Sequence, residues 1–322
     1  MIELISRELI ELHQHVDGSI PTTFMWERLK KHGLQPCEEF GKFEEMIYAT
    51  EGETLLDYLN RFHVPGWVTQ FYGNIKDSIV LIAQDAYDHG VRTLELRWSP
   101  TIHTFAELSV RQTTRAVLDG MNKFRISHPD MKLGLIIISM KHHGPHIAKI
   151  MARAALSEAQ HLHTGCGVVG FDLAGAERLF PPRLFKEAFD LARAGKLHLT
   201  CHAGEDGPPE NIWEAIEVLG VERVGHGCSA IQDKELMKRM ARDQILIECC
   251  VTSNYHTGAV EQNMVHPIKI FLEHLIPVSI CTDNPVISKT NILKECERVD
   301  TMCGNVSGHI MNRALSHSFI GR

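Results

Sequence analysis

A (β/α)8 barrel is the fold this sequence predicts, and three observations predict it. Apolar runs of strand length alternate with helical patterns about eight times along the chain. Several runs are apolar on both faces, as in Leu135-Ile136-Ile137-Ile138 and Ile245-Leu246-Ile247, which marks a parallel sheet covered by helices. No glycine-rich phosphate loop follows the first strand, as an open doubly wound sheet would require. The 322 residues suit one such barrel. A single domain over residues 1–322 is therefore expected, with a candidate lid insertion around residues 50–73.

The first strand, Leu9-Ile10-Glu11-Leu12, runs into His13-Gln14-His15-Val16-Asp17-Gly18. Thr23 to His32 reads as a helix stopped by Gly33, and a long excursion follows to about residue 73. Within it Leu55, Leu59 and Phe62 recur at helical spacing, so Glu53–Phe62 is expected to be an amphipathic helix, packed on the barrel wall or closing over its mouth. Helix Asn74–His89 stops at Gly90, and the alternation then becomes regular. Strand Thr93–Trp98 precedes helix Glu107–Ile126, and strand Lys132–Met140 precedes helix Pro145–His163. Strand Gly167–Leu173 precedes helix Pro182–Ala194, and strand Lys196–His202 precedes helix Pro209–Leu219. Strand Arg223–His226 precedes helix Asp233–Arg242, strand Gln244–Cys250 precedes helix His266–His274, and strand Val278–Asp283 precedes the final helices.

Composition narrows the function. The chain is 44% hydrophobic and 23% charged, ordinary for a soluble globular protein, and its net charge of -7 offers no basic footprint for nucleic acid or anionic membrane. A small neutral substrate is permitted. The nine cysteines are an odd number with no C-x-x-C, and most sit inside apolar runs, so buried reduced thiols are expected. The start, Met1 to Glu8, shows neither a basic nor a long apolar leader region, and no run approaches a membrane span; a cytoplasmic location is expected.

Four strand tips carry the chemistry. Residues two apart on a strand share a face, so His13 and His15 aim together, as two imidazole ligands of one metal must. Strand five ends in His202-Ala203-Gly204-Glu205, strand six in His226-Gly227, and strand eight in Asp283-Asn284-Pro285. In a (β/α)8 barrel all of these tips meet at one mouth. His13, His15 and His202 supply nitrogen and Asp283 oxygen, a donor set suited to Zn²⁺ with a position left for water, although Fe²⁺, Co²⁺ or Mn²⁺ fit the same ligands. Such an ion lowers the pKa of its water to roughly 7. His226 is left free as base and electrostatic partner, and Glu205 is a proton donor if burial raises its pKa.

These segments, with Glu95-Leu96-Arg97-Trp98-Ser99-Pro100, Asp172-Leu173-Ala174-Gly175-Ala176-Glu177 and Thr252-Ser253-Asn254, run in one order from Glu11 to Pro285. In that order they resemble the adenosine deaminase family of metal-dependent hydrolases. The resemblance implies hydrolytic deamination of a 6-aminopurine nucleoside, adenosine to inosine and ammonia. By the same resemblance one zinc lies on His13, His15, His202 and Asp283, and the water it activates attacks C6. His226 orients or deprotonates that water, Asp283 assists, and protonated Glu205 donates to ring N1. The Gly175 backbone N–H meets purine N3, and Asp17 and Gly18 lie near the ribose.

Asp17 argues for a nucleoside, because a carboxylate accepts from a sugar hydroxyl and repels a phosphate. Lys141 and His142, near the mouth, are expected to be solvated. Three departures from the family bear on the substrate: Asn284 stands where a second Asp usually contacts N7, Ala176 replaces a commonly acidic residue, and Val251 a common Pro. An Asn amide donates to N7 as it stands. The alternatives are a deaminase of a 5′-substituted adenosine such as aminodeoxyfutalosine, a deaminase of adenine, and, in another class, a binuclear metal hydrolase. The last usually needs a lysine on strand four, and Val168-Val169-Gly170-Phe171-Asp172-Leu173 has none.

Overall fold

A computed structural model describes residues 8–162 and 165–321. The leader reading of residues 1–7 and the helix end expected at His163 lie outside the described residues.

Eight parallel strands follow one another around the barrel in sequence order: β1 (Leu9–His15), β2 (Val91–Trp98), β3 (Lys132–Met140), β4 (Val168–Ala174), β5 (His198–Ala203), β6 (Arg223–His226), β7 (Leu246–Cys249) and β8 (Val278–Ile280). The ring closes at β1 and Asp283, where the His15 N–H donates to the Asp283 carbonyl at 2.8 Å and the Asp283 N–H to the His13 carbonyl at 2.9 Å. The expected (β/α)8 barrel is the observed architecture, and strands buried on both faces are its physical reason.

Helices wrap the ring wherever the sequence offers an apolar stripe and a stop. The helix Thr22–His32 ends at Gly33, whose positive φ of 68° only a glycine adopts without strain. Val110–Ser127 starts on a capping box between Ser109 and Gln112, and Lys234–Asp243 starts on the Asp233 carboxylate. The excursion after the first helix holds three short helices, Phe40–Ile47, Leu55–Asn60 and His63–Val68. Leu55–Asn60 falls inside the span expected for the amphipathic helix, shortened because Thr54 caps it at one end and Arg61 leaves it at the other.

Elsewhere the boundaries move for local reasons. The helix expected over Pro145–His163 is Gly144–Ser157, because the chain turns so that Ala159 bridges Val168 of β4. The helix expected from His266 is Ile268–Glu273, since the His266 ring accepts from the Ile268 N–H and sits outside it. Val251–His256 is a helix where no element was expected. Past β8 the backbone breaks to φ 59° at Asp283.

The far end of the barrel is plugged by the chain's own C-terminal segment. Phe319 packs on Ile136 and Val169, its N–H donates to Glu95 at 2.6 Å, and the Arg223 guanidinium lies 3.6 Å over its ring. All nine cysteines are free and seven are buried, as expected. Among the described residues no helix is long and apolar enough to cross a membrane.

Candidate functional site

The strand tips converge as the sequence predicts. His13 Nε2 lies 3.2 Å from His15 Nε2, and His15 Nε2 lies 3.3 Å from His202 Nε2. Asp283 Oδ1 is 3.3 Å from His15 Nε2 and 3.6 Å from His13 Nε2. Four donors bound to one ion at about 2.0–2.1 Å would stand about 3.3 Å apart, so this spacing fits a single divalent metal of zinc's size. Burial first, then the mutual repulsion of positive charge, holds His13 well below the usual imidazole range, and the same order of causes holds His15 there. Both rings are thus neutral and able to ligate.

Each ligand ring is aimed from behind. His13 Nδ1 meets Glu248 Oε2 at 2.9 Å, and His202 Nδ1 meets Asp172 Oδ2 at 3.0 Å. Arg97 bridges the two carboxylates, at 2.6 Å from Asp172 and in direct contact with Glu248. Arg223 extends the chain from Glu248 to Glu95, each at 2.8 Å. Burial pushes Asp172 up, but His202 and Arg97 outweigh it and hold the carboxyl well below its ordinary value. Charges buried to this depth persist only when paired, and the pairing fixes ring tautomer and angle.

His226 and Asp283 take the left-handed backbone conformation, at φ 65° and 59°. Non-glycine residues hold that conformation at a cost of about 1–3 kcal/mol, and such strain clusters at functional sites. The His226 ring is oriented by a relay. His266 Nδ1 accepts from the Ile268 N–H, so its Nε2 carries the proton and donates to Asn254 Oδ1 at 3.0 Å. The Asn254 amide then donates to His226 Nδ1 at 2.9 Å. Burial lowers His226 to about 4 and His266 to about 3, so both rings are neutral. The single proton of His226 therefore sits on Nε2, 3.6 Å from Glu205 Oε2.

His226, Cys250 and Asp283 also lie within ligand reach of one another, as do His13, His202 and His226. The Cys250 thiol is pushed well above its ordinary value by burial, which keeps it protonated, and the relay occupies Nδ1 of His226 and leaves the ring proton on Nε2. The set of His13, His15, His202 and Asp283 is the one the chemistry of the donors favours.

The ligands open on a cavity of about 480 Å³. Its floor is His15, His202, Glu205, His226 and Asp283, and its wall carries Leu55, Tyr58, Leu59, Phe62, Trp67 and Phe105. Burial raises Glu205 to about 7 and Asp17, also on the lining, to about 6. Gly175 and Asn284 reach the cavity as well, and Asn284 Oδ1 has no partner there. Gly18 lies behind the residues that line the cavity. It lies under Asn284, and a Cβ at this position would come within 1.9 Å of Asn284 Oδ1, which is why the residue is glycine.

Lys141 corrects its expectation. It is fully buried, and its ammonium donates to the His202 carbonyl at 2.8 Å; only His142 reaches the cavity. The sequence assigned no role to Arg97 and Asn254, which stand in two of the resembling segments, and none to Glu248 and His266. The signal that could have found Arg97 and Glu248 is a charge inside an apolar strand, which must meet a partner there.

The family model for adenosine deaminase matches residues 9–319. The chain is 36% identical over 287 residues to the adenosine deaminase of Clostridium kluyveri, covering 88% of this chain and 81% of that protein. Its fold is similar to that of the adenine deaminase of Arthrobacter aurescens, with a TM-score of 0.89 at 22% identity over 98% of this chain and 95% of that one. It is also similar to a zinc-bound amidohydrolase of Burkholderia ambifaria, with a TM-score of 0.83 at 21% identity over 97% of this chain and 86% of that one. With a family model that matches nearly the whole chain and a relative of this identity across most of both chains, the protein belongs to the adenosine deaminase family.

Proposed function

We propose that this enzyme hydrolyses adenosine to inosine and ammonia, using one bound zinc. The observation that carries the reading is the meeting of four metal donors with a carboxyl, Glu205, whose burial lets it hold a proton near neutral pH. His13, His15, His202 and Asp283 would hold the ion, and the nitrogen-rich donor set favours zinc. When bound, the ion supplies a water that is nucleophilic at neutral pH.

The remaining work belongs to the chain. Glu205 holds a proton at its carboxyl and gives it to purine N1, which makes C6 electrophilic. His226 presents an Nε2–H, because Asn254 donates to its other nitrogen. It therefore orients and stabilises the attacking oxygen as a donor, and this favours the orienting half of the expected role over the base. Asp283 Oδ2 accepts from Ser253 at 2.5 Å, which leaves Oδ1 turned to the ligand cluster, and burial raises this carboxyl above its ordinary value. It is the group best placed to take the proton from the attacking water and pass it to the leaving amine. Gly175 and Asn284 would grip the purine, and Asp17 a ribose hydroxyl.

Among the described residues the cavity lining includes no lysine or arginine, while Asp17, Glu205 and Asp283 are acidic. A 5′-phosphate would find carboxylates and no lysine or arginine, which supports a nucleoside over a nucleotide. The insertion around residues 50–73 contributes Leu55 to Gln70 to the cavity wall and is read as a lid on a single barrel domain. Ammonia release from adenosine, deoxyadenosine, 5′-substituted adenosines, AMP and adenine tests the reading. Failure of the zinc-loaded protein to release ammonia from adenosine would overturn it.

A further inference from the structure

Glu177 follows β4, and its side chain is buried beneath the loop that carries Glu205. The N–H groups of Gly204, Asp206 and Gly207 all donate to its carboxylate, at 3.0, 2.7 and 2.5 Å, and Asn211 Nδ2 adds a fourth bond at 3.2 Å. In the run from Gly204 to Gly207, Glu205 alone does not bond it through its N–H. The loop therefore wraps one anion with its backbone donors and turns the Glu205 side chain out to the cavity. Lys141, just past the end of β3, anchors the arrangement, with its ammonium 3.8 Å from Glu177 and 2.8 Å from the His202 carbonyl.

Two features show that the wrap is specified. Gly204 has φ 74°, and a Cβ there would meet Ile212 at 2.5 Å and Ser229 at 2.7 Å, so the residue must be glycine for the loop to pass. Burial pushes Glu177 up, but Lys141 and the loop donors outweigh it, so the carboxyl lies below its ordinary value and is ionised. Three converging backbone N–H groups are what an anion requires, and an ionised carboxylate holds them more tightly than a neutral amide would.

We infer that Glu177, with Lys141 behind it, is a positioning residue for the deamination: it fixes the loop so that the Glu205 carboxyl meets purine N1 in the tetrahedral state. Glu177 does not touch the substrate cavity, so its effect passes through Glu205. The inference rests on the reading of Glu205 as the N1 donor.

The test uses the zinc-loaded enzyme and Glu177→Gln, which keeps the shape of the side chain and removes its charge. We expect kcat for adenosine to fall on the order of 10²-fold, the loss typical of a misplaced catalytic group, with KM changed less than about threefold. A purine nucleoside analogue with a tetrahedral, hydroxylated C6 should lose affinity by the same factor as kcat/KM, while inosine and the zinc content per chain stay as in the parent. Unchanged kcat at full zinc content overturns the inference. So does a loss that tracks lost zinc, or an equal weakening of analogue and inosine. If Glu177→Gln does not fold, Asn211→Ala removes one donor to Glu177 and should give the same split at about tenfold; an unchanged kcat there overturns the inference equally. Glu205→Gln separates the two readings. Normal turnover in that variant removes the donor role and the inference with it, whereas an inactive Glu205→Gln beside a normal Glu177→Gln removes only the clamp.

Discussion

Glu248 Oε2 stands 2.9 Å from His13 Nδ1, with both side chains fully buried, so β7, two strands round the ring from β1, decides how the first ring points. Glu248 also meets Arg97 and Arg223, and no atom of it reaches the cavity. Glu248→Gln should lower zinc affinity about 10- to 100-fold, the usual effect of losing a carboxylate behind a ligand histidine. Competition with a chelator of known zinc affinity measures this, and a variant that holds zinc like the parent would deny Glu248 this part.

His15 is the most exposed of the three candidate ligand rings, at 13% against 8% for His202, and it bridges the other donors. His15→Ala should leave a folded barrel without stoichiometric metal. Elemental analysis of the purified variant decides it, and one zinc per chain would remove His15 from the ligand set.

Glu205→Gln keeps the shape of the donor and removes its acidic proton. Zinc content should be unchanged and turnover should fall on the order of 10²- to 10⁴-fold. Near-normal ammonia release would end its role at N1.

The pH profile follows from the same carboxyl. Glu205 must hold its proton to donate, and burial raises it from 4.5 to about 7. The donor form is therefore complete below that value and is lost as pH rises through it. kcat/KM for adenosine should decline on the alkaline side of about pH 7, approaching about tenfold per unit. A profile flat to pH 9 would contradict the assignment.

Nucleoside and nucleotide should separate widely. With carboxylates and no lysine or arginine on the described lining, AMP should show kcat/KM at least about 10²-fold below adenosine, since facing like charges cost several kcal/mol. Comparable values for the two would mean that a cation reaches the 5′ end.

The fold and the convergence of the strand tips were legible in the sequence because both follow from local patterns repeated in order. Apolar strands covered on both faces need helices between them, and a barrel brings their C-terminal tips together wherever they fall in the chain. His13, His15, His202 and Asp283 could therefore be assigned to one site from four separate motifs. Lys141 was misread because a lysine after a strand is ordinarily solvated, and nothing nearby in sequence announces Glu177 or the His202 carbonyl. The packing of Gly18 against Asn284 was hidden for a similar reason, since the two lie 266 positions apart.

The sequence by itself determined the alternation, the tips and the donor atoms, all of which depend on residues close along the chain. Only the tertiary structure decided which carboxylate orients which ring, which nitrogen of His226 carries the proton, and which anion holds the Glu205 loop. Those are pairings between strands and loops in contact through space, and a buried charge or imidazole takes its state from whatever packs against it.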